Sequence, residues 1–413
     1  MRLAVVSPFL DRSHGTERCI VEQIERFARQ PGWEIHLYSQ RVEQVAGVSL
    51  DSSPDACSPS GARIVWHRIP DLPGPHLLRY LWWFAANHFY RWRDRRSGRV
   101  RPDLVYSPGI NCADADVIAV HIVFREFYRQ VRGELRLRKL PLRSWPRTLH
   151  RKLYYLLIMG LEGWIYRNSR IRLAAVSLLA ARQLAKHFQR SDVAVIPNAV
   201  DAGKFHPLAR QQARSSARDR LGLEAADFVL LLIGNDWKKK GLDVLLQALA
   251  LCRSLPLQLL VVGKDDCRGY EEFLGQLGLA KRVRFLEPSS DVMQFYAAAD
   301  AYVGPSREDA YGLPILEAMA CGLPVIASAR AGASEIITVG KDGLILRNSE
   351  DSQELAEHLR RFASDKNLCA RLGEAAAATA REHTWDRNAA ETWEFLRKAA
   401  ERKKSPGQRK TGA

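Results

Sequence analysis

Short apolar runs recur along the chain, each closed by a glycine, a proline or a polar turn. Leu3-Ala4-Val5-Val6-Ser7-Pro8 is the first. A run apolar on both faces and bounded by turn residues predicts a buried strand of a parallel sheet. Further strands are expected at 34–38, 63–68, 104–106, 117–121, 173–176 and 193–196. Helical spacing appears between several of them, first in Ile20, Ile24 and Phe27 after the turn His14-Gly15-Thr16. A strand, a glycine turn and a helix make the opening of a Rossmann-like unit, although a lone Gly15 also reads as a plain turn. A second series of strands is expected at 228–233, 257–262, 283–286, 301–303, 324–327 and 344–346. Helices at 241–253, 269–279 and 314–321 fill its gaps. Strands alternating with helices imply parallel sheets joined by crossovers, the α/β class.

Between the two series lies Ile196-Pro197-Asn198-Ala199-Val200-Asp201, followed by Lys204-Phe205-His206-Pro207. This turn-rich stretch divides the chain into a domain at 1–200 and a domain at 201–385. Another helix is expected after His383-Thr384-Trp385. The tail at 402–413, rich in Lys, Arg, Pro and Gly, reads as disordered.

The most informative stretch runs from Val303 to Ala320. Gly304-Pro305-Ser306 ends a strand, and Pro314 suits the first turn of the next helix. The backbone N–H groups near Tyr311, Gly312 and Leu313 therefore point outward at a helix N-terminus, which attracts phosphate. Gly312 lets a ligand approach the backbone closely. Asp309 and Glu317 flank this end with seven residues between them. Carboxylates accept hydrogen bonds from sugar hydroxyls, so the set suggests a phosphate with a sugar on each side. For Glu317 alone, stabilisation of the helix end is the competing reading.

Three other stretches bear on chemistry. Gly234-Asn235-Asp236-Trp237-Lys238-Lys239-Lys240-Gly241 joins a strand to a helix, at the sheet edge where such folds bind ligands. Lys240 beside the glycine turn is a suitable point charge for a diphosphate, while Lys238 and Lys239 also read as solvated charges. Gly263-Lys264-Asp265-Asp266 superficially suggests a metal-binding carboxylate pair, but is read as a turn. His121 ends a strand, where a lone histidine is either a packed structural residue or part of a site.

With these residues in hand, the chain resembles glycosyltransferase family 4, also called glycosyl transferases group 1. The spacing Asp309-x7-Glu317 fits that family's acid-x7-Glu pattern, with Asp in the place where Glu is usual. Glu308 is the neighbouring choice, and the register Tyr311-Gly312-Leu313-Pro314 favours Asp309. The resemblance runs from residue 1 to about 385 and is strongest over 195–335. It implies the GT-B fold, two Rossmann-like domains with a cleft between them. The first would bind the acceptor and the second the nucleotide sugar. The last helix, 386–401, would recross and pack on the first domain. Lys240 and Asn235 would then hold the donor phosphates, with the Gly312–Leu313 helix end. Asp309 would hold sugar hydroxyls and Glu317 the ribose. The backbone at Arg284-Phe285 would face the base. His121 would lie beside the donor sugar, and Gly15 would sit on the loop that replaces the family's Gly-Gly pair. Configuration would be retained, with no metal and no cofactor beyond the nucleotide-sugar co-substrate. The same fold also serves nucleotide-sugar epimerases and phosphorylases. The loop at 234–241 and the basic first domain look most like lipopolysaccharide core glucosyltransferases, implying a hexose, UDP-linked, and a cell-envelope glycan or lipid-linked acceptor.

Charge adds a partner. The net charge is +16, and it is concentrated in 79–101, with seven Arg and one Asp, and 124–170, with twelve Lys/Arg and three Glu. Both stretches interleave Trp, Tyr, Phe and Leu with the cations. An anionic membrane surface or nucleic acid fits such composition, and no nucleic-acid motif accompanies it. A membrane- or nucleic-acid-binding protein with a degenerate transferase core is the competing class, against which Lys240, Asp309, Gly312 and Glu317 all stand intact. Seven scattered cysteines without a CxxC pair favour a reducing compartment. The chain opens directly on a strand pattern, and no apolar run reaches the ~18–20 residues of a spanning helix. The expected place is cytoplasmic, peripheral on the inner face of the cytoplasmic membrane.

Overall fold

The apolar runs become the interior strands of two parallel sheets. We describe a computed structural model, in which residues 1–12, 14–50, 63–133 and 145–404 are described. The chain divides into two units, one of residues 1–197 and 386–413, the other of 198–385. The boundary falls slightly before the position at 200 expected from the turn residues.

The first unit contains β1 (Arg2–Val6), β2 (Phe9–Leu10), α1 (Gly15–Phe27), β3 (Glu34–Ser39), β4 (Arg41–Val42), β5 (Val48–Leu50) and β6 (Arg63–Arg68). It continues with α2 (His76–Arg96), β7 (Leu104–Pro108), β8 (Val117–Val120), α3 (Phe124–Val131), α4 (Trp145–Ile165), β9 (Arg172–Ala175), α5 (Leu178–Phe188) and β10 (Ala194–Val195). Among the described residues, eight strands form a parallel sheet in the order β10-β9-β8-β7-β1-β3-β6-β5, and β2 pairs with β4 apart from it. The order reverses between β1 and β7. At such a point the flanking loops diverge and leave a crevice at the carboxyl ends of the strands.

The second unit contains α6 (Pro207–Arg220), β11 (Phe228–Ile233), α7 (Leu242–Ala250), β12 (Leu257–Val262), α8 (Arg268–Leu277), β13 (Val283–Leu286) and α9 (Met293–Ala298). Then come β14 (Ala301–Gly304), α10 (Leu313–Ala320), β15 (Val325–Ser328), β16 (Leu344–Leu346), α11 (Ser352–Ser364) and α12 (Lys366–Ala380). Its sheet, six parallel strands among the described residues, runs β13-β12-β11-β14-β15-β16, so the order reverses between β11 and β14. Leu230, Leu232, Val261 and Val303 are buried in the core that positions those two strand ends.

The last helix, α13 (Trp385–Lys404), packs mainly on the first unit. Trp393 lies 4.0 Å from Trp33, ring centre to ring centre, and also contacts Phe27. Gln23 donates to Asn388 at 2.8 Å, and Arg26 pairs with Asp386 at 2.6 Å. One part of the expected tail is corrected: residues 402–404 remain helical, and Lys403 pairs with Asp116 at 2.8 Å, a favourable place for a cation near a helix C-terminus. The rest of that tail, 405–413, lies outside the described residues.

The two basic stretches resolve differently from their composition. Trp83 and Arg91, which lie in the first of these stretches, are buried. Arg91 forms a bidentate pair with Asp114 at 2.6 and 2.8 Å and also donates to Asn87. Asp94 is buried too and accepts from Tyr38 at 3.1 Å. Conversely, Leu78, Leu81, Trp82, Phe89 and Trp92 on α2 are exposed, as are Trp145, Leu149, Leu153, Leu156 and Trp164 on α4. Phe89 is 55% exposed and Trp164 63%. The portion 134–144 of the second basic stretch lies outside the described residues. Among those described, no helix is long and apolar enough to cross a membrane.

Candidate active site

The reversal point of the second sheet gathers most of the residues singled out above. Ile233 ends β11, and Gly234 takes φ +146°, where a side chain would be strained. A Cβ there would also meet the Lys240 side chain at 2.7 Å, so Lys240 lies directly across Gly234. Gly241 caps α7 at φ +76°, and a Cβ on it would come within 2.2 Å of the Pro305 carbonyl oxygen. The loop after β11 therefore rests on the loop after β14, backbone against backbone.

Arg307 fastens the two loops. Its backbone N–H donates to the Lys239 carbonyl at 2.9 Å, and its guanidinium donates to the Lys238 carbonyl. The same guanidinium pairs with Asp243 at 2.7 and 2.8 Å and with Glu350 at 2.6 and 2.9 Å. These two carboxylates hold it firmly in its charged form. Farther along, the acidic loop is tied to the segment after β15. Asp309 donates its N–H to Arg330 at 3.0 Å, and the Tyr311 carbonyl accepts from Ala333 at 2.6 Å.

Lys240 forms an ion pair with Asp309. Both side chains are mostly covered, 19% and 16% exposed. Gly312 caps α10 at φ +91° with no side-chain cap, so the first N–H groups of that helix are not capped by a side chain of their own loop. A Cβ on Gly312 would lie 3.4 Å from the Asp309 carboxylate, so Lys240, Asp309 and the start of α10 form one cluster. Glu317, farther along α10, is buried and accepts from the Tyr296 hydroxyl at 2.7 Å. Tyr311, next to Gly312 in the chain, is buried.

Other expected residues are engaged elsewhere. The Asn235 side-chain oxygen accepts from the Lys264 N–H at 2.8 Å, which ties its loop to the end of β12. The Arg284 guanidinium donates to the carbonyls of Leu221 and Gly222, so its side chain is not part of the Lys240 cluster. Asp265 accepts from the Trp237 N–H at 2.8 Å, and Asp266 pairs with Arg268 at 2.8 Å. Each of these two carboxylates holds a turn. Lys239 is half-buried rather than a solvated charge, and burial lowers its pKa from the ordinary lysine value. Sequence reasoning missed Arg307 and Tyr296. Their partners are distant in the chain, and one sequence carries no signal for such pairings.

His121 follows β8 in the first unit. It is buried, and burial pushes its pKa down to about 4, leaving a neutral imidazole. It lines a cavity of 460 Å³ whose walls come from the loops after β1, β7 and β8 and from α2 and α4. Gly15 begins α1, and the next two residues, Thr16 and Glu17, line this cavity. The segment leaving His121 is held from α4. The Glu162 carboxylate accepts from the N–H groups of Phe124 at 2.6 Å and Arg125 at 3.0 Å. Burial pushes the Glu162 carboxyl up to about 7, against those two donors.

Comparison with known proteins follows the same division. Residues 213–379 match the family described as glycosyl transferases group 1. The chain is 38% identical over 209 residues to D-inositol 3-phosphate glycosyltransferase of Actinosynnema mirum, covering 47% of this chain and 49% of that one. The enzyme of the same name from Corynebacterium urealyticum is 31% identical over 220 residues, 50% of this chain and 51% of that one. The matches thus span about half the length of these curated relatives. Among solved structures, WaaG, a glycosyltransferase involved in lipopolysaccharide biosynthesis, superposes with a TM-score of 0.73 at 20% identity, over 95% of this chain and 99% of that one. Anabaena HepE in complex with UDP-glucose gives 0.68 at 20% identity, over 96% and 100%. The chain has the GT-B fold of two Rossmann-like domains, and residues 213–379 of its second domain match the glycosyl transferases group 1 family.

Proposed function

We propose that this protein is a retaining, metal-independent glycosyltransferase that moves a hexose from a nucleotide sugar, UDP-linked, to a cell-envelope glycan or lipid-linked acceptor such as lipopolysaccharide core. One observation carries the reading: Lys240 and Asp309 meet at the uncapped N-terminus of α10, inside a domain of this family. Breaking the bond from the anomeric carbon to phosphate oxygen leaves positive charge on the sugar and negative charge on the diphosphate. Lys240 and the N–H groups of Gly312 and Leu313 stabilise the leaving diphosphate, in place of a metal. Asp309, released from Lys240, accepts from sugar hydroxyls, and Glu317 accepts from the ribose. Asn235 and the backbone at Arg284 border the nucleotide, and His121 is assigned to the donor sugar. The acceptor oxygen bonds to the anomeric carbon from the leaving-group side, and its proton passes to the departing phosphate oxygen. That WaaG acts in lipopolysaccharide biosynthesis and HepE was solved with UDP-glucose favours the envelope acceptor and the uridine donor.

The exposed rings of α2 and α4 beside Arg93, Arg95, Arg96 and Arg151 support docking on an anionic membrane, the inner face of the cytoplasmic membrane in this reading. Aromatic rings favour the headgroup level, and each surface cation near anionic lipid adds about 1 kcal/mol.

The function is tested by offering UDP-, GDP- and ADP-linked hexoses without acceptor. Calorimetric binding and slow release of one nucleotide are expected. A folded protein that binds none of them and hydrolyses none refutes the assignment. Co-sedimentation with vesicles tests docking: recovery should rise with anionic lipid and fall with salt, and equal recovery on neutral vesicles refutes it.

A further inference from the structure

Glu317 is 4% exposed, so only an edge of its carboxylate can meet a ligand, and the way the group is turned decides what that edge offers. Its Oε2 accepts from the Tyr296 hydroxyl at 2.7 Å. The Pro314 carbonyl lies 3.5 Å from the same hydroxyl, too far to compete for its single proton. Burial and the neighbouring Glu317 push the Tyr296 pKa far above the ordinary tyrosine value, so the hydroxyl remains a donor at neutral pH. A neutral donor leaves the charge of the carboxylate in place, and a charged acceptor binds hydroxyls more strongly than a neutral one.

Tyr296 is itself held from two sides. It is fully buried on α9, with Phe205 edge-on to its ring at 5.7 Å and an interplanar angle of 89°. α9 has six residues, and a helix leaves its last four carbonyls without partners of its own. α6 brings donors to that end. Arg210, Arg214 and Arg218 are spaced by four, which places them on one face of α6. Arg210 donates to the Ala299 carbonyl at 2.8 Å, and Arg218 to the Ala298 carbonyl at 3.1 Å. Arg214 donates to the Ala299 carbonyl at 2.9 Å and to Asp300 at 2.5 Å. Cations are favourably placed at a helix C-terminus. A helix this short is not stable alone, so the arginine row fixes where α9 stands, and with it the Tyr296 hydroxyl.

We propose that Tyr296 is a positioning residue for nucleotide recognition: its hydroxyl fixes the turn of the Glu317 carboxylate, and the arginine row of α6 fixes Tyr296. The tyrosine touches no substrate itself. This rests on the transferase reading above, in which Glu317 accepts from the ribose, and it adds the device that sets how strictly the ribose is read.

The test is calorimetry on the intact chain. The nucleoside diphosphate selected by the hydrolysis screen, UDP in the reading above, is compared with its 2′-deoxy and 3′-deoxy forms. The wild type should prefer the ribonucleotide over one of the two by roughly 10–100-fold, the scale of a hydroxyl bonded to a charged acceptor. Tyr296→Phe keeps the ring and its packing and removes the donor. The carboxylate then samples about three staggered side-chain wells instead of one, so ribonucleotide binding weakens by at least about threefold. The analogue that lacks the recognised hydroxyl should bind as before, and the preference falls by the same factor. General loosening of the site would weaken both nucleotides alike and leave the preference intact. Arg214→Gln loosens α9 without touching Tyr296 or Glu317, and should lower the preference in the same direction by less. A folded Tyr296→Phe with wild-type preference overturns the proposal; if that variant does not fold, an Arg214→Gln protein with wild-type preference overturns it. Equal binding of all three nucleotides by the wild type would take Glu317 off the ribose and overturn the proposal, while donor hydrolysis would keep the transferase reading standing. A folded protein that binds no nucleotide and hydrolyses no donor would sink both.

Discussion

Arg307→Ala removes the clamp between the loop after β11 and the loop after β14. The wild-type guanidinium binds the Lys238 carbonyl, Asp243 and Glu350 at once, and is itself 23% exposed. Glu350 is 55% exposed, so its share falls in the range of about 0–1 kcal/mol for surface pairs. Asp243 is 34% exposed and paired bidentately, which supports about 1–2 kcal/mol after solvent screening. The bond to the Lys238 carbonyl adds roughly 1 kcal/mol. A loss of about 3 kcal/mol follows, equivalent to a Tm drop of roughly 6–12 °C for a domain of this size. Arg307→Lys keeps a charge but cannot reach both carboxylates and the carbonyl, so about half of the loss should remain.

The same variant should act on binding. Lys240 lies one residue beyond the Lys239 carbonyl that the Arg307 backbone holds, and the side-chain clamp limits how far that loop can drift. Donor KM should rise by about tenfold, with a smaller change in kcat, as expected when ground-state and transition-state contacts loosen together. Calorimetric melting and steady-state kinetics on the wild type and both variants measure these two effects. An Arg307→Ala protein with wild-type Tm and wild-type donor KM would refute the clamp.

Three further outcomes are expected. Lys240→Met and Glu317→Gln should each lower transfer by roughly 10²-fold, the scale of losing one charged contact at the departing group or the ribose; two folded variants with normal turnover would remove these residues from the site. Turnover should survive EDTA, and activity abolished by chelation and restored by Mg²⁺ or Mn²⁺ would disprove metal independence. Stability should fall as pH drops from about 6.5 towards 4: His121 has a folded pKa lowered to about 4, so the unfolded chain binds the extra proton across that window, at a cost of up to about 3 kcal/mol. Urea midpoints at pH 7, 6 and 5 measure the slope, and a His121→Asn variant with the same slope would exclude this residue as its source.

Legibility followed the range of the interactions involved. The strands β11, β12, β13 and β16 were readable to the residue, because a buried parallel strand is an unbroken apolar run. β2, β4 and β5 were not, since two or three residues carry no period. The long helices α2 and α4 were legible as basic aromatic stretches but not as packed objects. Asn87, Arg91 and Asp94 form a buried polar stripe at helical spacing, while Leu78, Trp82 and Phe89 face outward. An amphipathic reading assigns such a helix the wrong inner face. In the candidate site, the placement of Lys240, Asp309, Gly312 and Glu317 on the loops and helix ends was legible because glycine conformation, proline placement and helix ends are local properties. Their partners were not. Lys240 and Asp309 are 69 positions apart, and the Tyr296–Glu317 bond crosses from α9 to α10.

The Lys240–Asp309 pair itself leads to a prediction of unusual sign. In this structure each charge answers the other, with both side chains mostly covered. A nucleotide diphosphate that takes Lys240 leaves Asp309 unpartnered, and a covered carboxylate without a partner is costly. A nucleotide sugar supplies both halves of the exchange, phosphate to Lys240 and hydroxyls to Asp309. The pair thus penalises the bare nucleotide relative to the intact donor. Asp309→Asn removes the competing charge, so Lys240 becomes available to phosphate without penalty. UDP should bind that variant more tightly, by roughly 5–30-fold if the pair is worth about 1–2 kcal/mol at this exposure. Transfer should nevertheless fall, because the amide is a weaker acceptor for the sugar hydroxyls than the carboxylate it replaces. Calorimetry with UDP on both proteins, alongside steady-state transfer, reads the two effects separately. Weaker or unchanged UDP binding by Asp309→Asn would mean that Lys240 does not exchange between carboxylate and phosphate, and that the cluster holds the loop rather than the donor.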